Sequence, residues 1–133
     1  MEIIRAKEVE EAKIETLLNL NQALDKDLLI ECGYVVNMSG KIAGCFVLDP
    51  IDTQEYWLRH LYLKPDAAYA VIVLLETAIT LARQNDAAVI YVNSHQSTVN
   101  TLLEALHFKR SHMVPQITSE EATAGIWWTY HVS

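Results

Sequence analysis

At 133 residues the chain has the length of one folded domain, and an apolar fraction of 51% is ample for a single core. Its net charge of -7, from 17 acids against 10 Lys and Arg, argues against nucleic acid as a partner and leaves amines or cationic proteins open. The start MEIIRAKEVEE is charged and lacks an apolar leader core, and the longest apolar stretch, Ala67 to Leu75, is too short to span a bilayer, so the expectation is a cytoplasmic protein with no membrane partner.

Residues 2 to 5 read as a short first strand. From Val9 to Leu24 the apolar Ile14, Leu17, Leu18 and Leu24 share one helical face, with Glu11, Glu15 and Asn19 elsewhere. In LIECGYVVNMSGKIAGCFVLDP, Ile30, Cys32, Tyr34, Val36 and Met38 alternate with Glu31, Gly33, Val35 and Asn37, which predicts a strand. Ser39-Gly40 marks a tight turn, and Lys41 to Leu48 returns as a second strand that Pro50 stops. Cys32 and Cys45 are expected in these strands as buried free thiols.

EYWLRHLYLKP is a third strand, apolar on both faces and therefore central. A helix follows from about Ala67 to Asn85, with Ala68, Val71, Ile72, Leu75, Ile79 and Ala82 as its predicted inner face. AAVIYVN is a short buried strand, and strand, helix, strand suggests a parallel crossover. STVNTLLEALHF is a second long helix, turning Val99, Leu102, Leu103 and Leu106 inward. From Lys109 to Ser133 two strands flank the polar QITSEEATAG. The whole is an α/β sandwich with a mixed sheet, one domain over residues 1–133.

These segments, in this order and over nearly the whole chain, resemble the GNAT family of acyl-CoA-dependent N-acyltransferases. GYVVNMSGKIAGCFVL is similar to the family's second and third strands, and LRHLYLKP to its fourth with the proline that follows. LLETAITLARQNDAAVIYV is similar to the next helix and strand, and QSTVNTLLEALHFKR to the late helix with its leucine-glycine-phenylalanine ending. The resemblance implies a single-domain GNAT-like fold, a mixed central sheet flanked by helices, and acyl transfer from acetyl-CoA or another acyl-CoA to an amine. It also implies cofactor contacts at Leu61, Tyr62 and Leu63, at Ala68, Tyr69 and Ala70, and at Gln96.

Four places depart from that pattern. The family follows the proline with an Arg- and Gly-rich loop whose N–H groups hold the CoA pyrophosphate at a helix start. Here Asp66-Ala67-Ala68-Tyr69-Ala70 stands there, about two residues short, with no glycine and no base. Asp66 is placed to cap the helix. Its carboxylate would repel pyrophosphate by roughly 1–3 kcal/mol at ~5 Å. Leu103 stands where the family often has the tyrosine that protonates the leaving thiolate. Gln96 replaces a helix-opening asparagine, and His107 replaces the glycine before Phe108.

For a general base the candidates are Glu55 and His60, against the commoner readings of a solvated strand-start acid and a hydrogen-bonded strand histidine. Tyr62 is either a general acid or a packed aromatic. Asn93, Ser94 and His95 follow the fifth strand, where ligands bind in such sheets, yet Ser94 or Ser97 also suits a helix cap. His107, His112 and His131 share no ligand spacing with the cysteines, so no metal is expected. Trp127, Trp128 and Tyr130 lie in the last strand; one face is core, and the other is either packed or an exposed surface for a homodimer or partner. Two functions stand side by side: a divergent N-acetyltransferase-like enzyme, and a non-catalytic protein of the same fold that binds a protein partner or small ligand.

Overall fold

The computed structural model describes residues 1–111 and 125–132. Its elements are β1 (Glu2–Arg5), α1 (Glu11–Leu20), α2 (Lys26–Cys32), β2 (Gly33–Met38), β3 (Lys41–Asp52), β4 (Glu55–Leu63), α3 (Val71–Gln84), β5 (Val89–Ser94), α4 (Ser97–Ala105), β6 (Lys109–Arg110) and β7 (Ile126–His131). Short 3-10 helices cover Ala6–Glu8 and Pro65–Ala70. The strands form one mixed seven-stranded sheet in the order β1-β2-β3-β4-β5-β7-β6. The doubly apolar β4 is therefore the middle strand, as its sequence predicts.

Two compact units make up the chain: Met1–Asp49 with Leu58–Val71, and Pro50–Trp57 with Ile72–Ser133. In the first unit β1 and β2, and then β2 and β3, pair antiparallel. The β2–β3 turn forms as expected, with φ of 54° at Ser39 and 78° at Gly40. Ile14, Leu17, Leu24 and Leu29 bury against Val35, Cys45 and Val47 of the sheet.

The alternation through Ile30 and Cys32 is not a strand. Residues 26–32 are α2, and β2 begins only at Gly33. Asp25 is the reason: its carboxylate accepts from the Leu28 N–H at 3.1 Å and caps a new helix. Accordingly α1 stops at Leu20, short of the predicted Leu24. Cys32 ends a helix and is half-buried, whereas Cys45 is fully buried in a strand as expected. Pro50 does not stop β3, which runs on to Asp52 with Pro50 exposed.

In the second unit the Gln54 carbonyl accepts from the N–H groups of Ala88 and Val89, at 2.7 and 3.2 Å. β4 and β5 thus start side by side and run parallel, as the crossover reading requires. β7 pairs antiparallel with β5 and with β6, so the closing hairpin forms. The predicted polar loop and His112 lie outside the described residues. Trp127 and Trp128 are 4% and 2% exposed, so of the two readings the packed one holds for both tryptophans. Trp127 packs on Trp57 at 5.4 Å, and the Trp128 indole donates to Asn100 on α4 at 2.9 Å.

The helical stretch Pro65–Gln84, longer than the run Ala67 to Leu75 within it, is 20 residues long and, by length and composition alone, apolar enough to cross a bilayer. Leu75, Ile79 and Ala82 of its predicted inner face are buried, together with Ala67, Ala70, Leu74 and Ala78. Ala68 and Ile72 are exposed instead. The first turn is 3-10, so the angular count made for a continuous α-helix is out of phase there.

α4 ends in a Schellman motif: the Phe108 N–H reaches the Leu103 carbonyl at 2.9 Å and the His107 N–H the Glu104 carbonyl at 3.1 Å. His107 takes the left-handed position with φ 72°, where glycine is the least costly residue. His107→Gly is expected to stabilise the fold by about 0.5–1 kcal/mol. A urea midpoint no higher than that of the parent chain would count against this.

Candidate functional site

The residues singled out by sequence fall into both compact units. In the first, the end of β4 is shaped by an irregularity in β3. The β2–β3 register passes from Val36 opposite Gly44 to Asn37 opposite Ile42, leaving Ala43 as the extra residue of a bulge. The Ala43 carbonyl turns to accept the Lys64 N–H at 2.8 Å. Next to it, Gly44 lets β4 come close: a Cβ there would lie 2.0 Å from the Tyr62 carbonyl oxygen.

β4 is itself irregular at His60, whose φ of 54° is left-handed. The Cys45 thiol donates to the His60 carbonyl at 3.5 Å. One residue earlier, Arg59 pairs with Asp49 at 3.2 Å, with side chains only 16% and 22% exposed. The backbone of Leu61, Tyr62 and Leu63 is thus set by three anchors: the Cys45 thiol, the Ala43 carbonyl and the missing side chain of Gly44. Leu61 and Leu63 are half-buried. Tyr62 packs on the core around Leu29 and Cys45, the packed-aromatic reading.

Beyond β4 the chain enters the 3-10 helix Pro65–Ala70. Its N-cap is Lys64, without a side-chain hydrogen bond, and Pro65 opens the first turn. Asp66 therefore does not cap the helix, which is a correction; it is an exposed acid of the first turn. The Ala67 N–H binds the Lys64 carbonyl at 2.8 Å, and the Val71 N–H binds the Ala68 carbonyl. These amides are spent within the chain. Ala68 is exposed, Ala70 is 5% exposed, and the Tyr69 side chain is 77% exposed, so it stands in solvent and packs into no cleft.

In the second unit, Glu55 opens β4 and its Oε1 accepts from the Tyr91 hydroxyl at 2.9 Å. Burial pushes the Tyr91 phenol up, and the neighbouring Glu55 and Asp52 push it further the same way. Glu55 is thus paired with a tyrosine on β5, and His60 belongs to the other unit. Sequence reasoning missed Tyr91; the alternation of VIYVNS puts it on the same face as Asn93, which was a usable signal.

At the end of β5, Ser94 is 4% exposed, and its Oγ lies 3.2 Å from the Gln96 carbonyl and 3.4 Å from the Gln96 N–H. Gln96 is the N-cap of α4 but makes no side-chain cap, and neither Ser94 nor Ser97 serves as one. His95 is exposed. Leu103 is 0% exposed and fills the core under α4. Among the described residues, no group of three or more His, Cys, Asp or Glu surrounds a common metal position.

Solved structures share this arrangement of strands and helices. Over 99% of both chains it superposes on the Campylobacter jejuni N-acetyltransferase PseH in complex with acetyl coenzyme A, with TM-score 0.76 and 14% identity. Coverage is again 99% of each chain for an acetyltransferase of the GNAT family from Staphylococcus aureus, with TM-score 0.72 and 14% identity. The chain has the GNAT fold. A Mycobacterium tuberculosis protein in complex with CoA matches 98% of this chain and 99% of its own, with TM-score 0.77 at 10% identity. No protein-family model and no curated protein matches the sequence. At these identities the GNAT fold is shared while side chains at any one position are free to differ.

Proposed function

We propose that the protein is a divergent N-acyltransferase that recognises its donor by the acyl-thioester end and not by the nucleotide end. The observation that carries this is the irregular end of β4. A left-handed, non-glycine residue in a central strand costs on the order of 1–3 kcal/mol, and here a bulge, a glycine and a buried thiol hold it in place. Strain of that kind, in a fold whose solved relatives include acetyltransferases, supports a site that aims backbone groups at a ligand.

The residues do not fit the CoA pyrophosphate. The amides of Ala67 and Val71 are already bonded inside the 3-10 helix, and Asp66 brings a negative charge to the same turn. With no glycine or base in that turn, the term that usually holds the diphosphate is missing.

Acyl transfer to an amine forms a C–N bond as the thioester C–S bond breaks, and the proton lost by nitrogen must reach the thiolate. Leu103 cannot donate it. Glu55, hydrogen-bonded to Tyr91, opens β4, and Leu61 lies roughly 20 Å further along the strand, so Glu55 is not the base for an amine attacking there; both protons lost by the ammonium nitrogen pass to solvent water, which returns one to the thiolate. The acceptor class we assign is a small amine or a protein amine, which a net charge of -7 favours.

The test compares acetyl-CoA with the truncated thioester S-acetyl-N-acetylcysteamine. The two are expected to differ by less than tenfold in kcat/KM, and Asp66→Gly to improve acetyl-CoA alone by about tenfold. A hundredfold preference for acetyl-CoA in the parent chain would overturn the reading. A second reading, a non-catalytic GNAT-fold protein that binds a partner or small ligand, is favoured by Leu103 and by the spent amides. It predicts no turnover of either thioester, and no thermal shift with either at millimolar concentration.

A further inference from the structure

The last turn of α4 and the edge of the sheet form a recess that acyl transfer does not use. Glu104, His107, Phe108, Lys109, Arg110 and Trp128 line about 490 Å³ there. Its floor is apolar and fixed. Phe108 and Trp128 are each 2% exposed, Phe108 packs on Tyr130 at 5.0 Å, and the Trp128 indole is tied to Asn100.

The wall is cationic, in a chain that carries 17 acids against 10 Lys and Arg. The Arg110 guanidinium sits 5.6 Å from the Trp128 ring centroid, a cation–π distance that limits its freedom before any ligand arrives. Lys109 precedes it in β6, which lies at the end of the strand order. His107 stands at the rim. Its left-handed backbone is one that glycine would adopt more cheaply, so an imidazole is kept here at a cost.

We propose that this recess binds a small oxyanion of the phosphate class. Arginine presents a planar fork of donors to such an anion, whereas Lys109, paired with Thr129, projects from the other face of β6 and adds only a distant charge. The one carboxylate in the lining, Glu104, narrows the choice. It repels a bare anion, but it can accept from the O–H of a hydrogen phosphate, a donor that sulfate lacks at neutral pH. The competing account gives Lys109 and Arg110 only two local duties, keeping an edge strand from pairing and complementing the C-terminus of α4. It predicts no binding.

The experiment is a titration of the 15N-labelled full chain with sodium phosphate at constant ionic strength, following the Trp128 indole N–H, assigned by Trp128→Phe. A saturating shift in the millimolar range is expected, with sulfate weaker. Affinity should fall on the order of tenfold in Arg110→Gln and by less than about threefold in Lys109→Gln, whose side chain leaves the opposite face. Both residues are exposed, so unchanged urea midpoints should confirm that the variants fold. A shift that never saturates, the same curve in Arg110→Gln, or sulfate binding as well as phosphate would each overturn the proposal.

Discussion

Gly44→Ala is expected to cost about 3 kcal/mol of stability and to lower Tm by roughly 10 °C. The added methyl would sit 2.0 Å from the Tyr62 carbonyl oxygen and 3.0 Å from the Leu63 Cα. Both are backbone atoms, so no rotamer change relieves the contact and β4 itself must move. That movement would separate β3 from β4 where the Lys64 N–H meets the Ala43 carbonyl. The same substitution at Gly40 is the control. There φ is 78° and nothing lies within 4 Å of the new methyl, so the loss should be only the left-handed penalty of about 1 kcal/mol. Paired thermal melts decide the matter: equal Tm losses at the two glycines would mean that β4 yields freely. A second readout follows from the proposed thioester site. If the end of β4 aims backbone groups at the acyl donor, residual turnover in Gly44→Ala at a temperature where it is fully folded should fall further than its folded fraction.

How far the sequence carries the structure depends on where each residue's partner lies. The β2–β3 hairpin was legible because Ser39-Gly40 and the alternation beside it are local signals. The central place of β4 was legible because a strand apolar on both faces has no solvent side. α2 was missed because LLIEC fits a period of two as well as one helical turn, and Asp25 decides between them only through its bond to the Leu28 N–H. The departures at Asp66 and Leu103 could be read as chemistry: one is an acid where a phosphate would lie, the other a leucine where a proton donor would stand. Their structural roles were less legible. Asp66 has the residue type of a cap, but Pro65 takes the first helical position and Lys64 becomes the N-cap. The anchors of the β4 end were not legible at all. Gly44 looks like any strand glycine, and the left-handed turn at His60 depends on a carbonyl, a thiol and a neighbouring bulge that sequence spacing does not encode. The proposed site is therefore written largely in backbone geometry, and variants of Gly44 and Cys45 test it more directly than variants of Glu55 or His60.

Cys45 should make the fold alkali-sensitive between about pH 9 and pH 12. Its side chain is 0% exposed against Leu29, Val35 and Val47, and burial pushes its thiol up from 9.0 to about 12. Below pH 9 the thiol is protonated in folded and unfolded chains alike, and its contribution is fully present. Above pH 9 the unfolded chain releases the proton while the folded chain keeps it, so stability falls by about 1.4 kcal/mol per pH unit. The loss reaches about 2 kcal/mol by pH 10.5 and about 4 kcal/mol by pH 12. Tyr91, also pushed up by burial, adds to the decline above pH 10. It does so equally in a Cys45→Val variant, which keeps the volume and removes the titration, so the difference between the two chains isolates the thiol. Urea midpoints at pH 8 and pH 10.5 should therefore diverge, with Cys45→Val the less pH-dependent protein; parallel curves would show that the thiol ionises as readily folded as unfolded. Labelling gives an independent check, since half-buried Cys32 should react with a thiol reagent well before Cys45. The functional consequence runs through the hydrogen bond from the thiol to the His60 carbonyl. Because the folded chain keeps the thiol proton up to about pH 12, that anchor of the strained residue in β4 persists while stability falls. Turnover of the truncated thioester in the parent chain should therefore fall no faster than its folded fraction between pH 9 and pH 12. In Cys45→Val, which lacks that hydrogen bond at every pH, turnover per folded molecule should be lower already at pH 8.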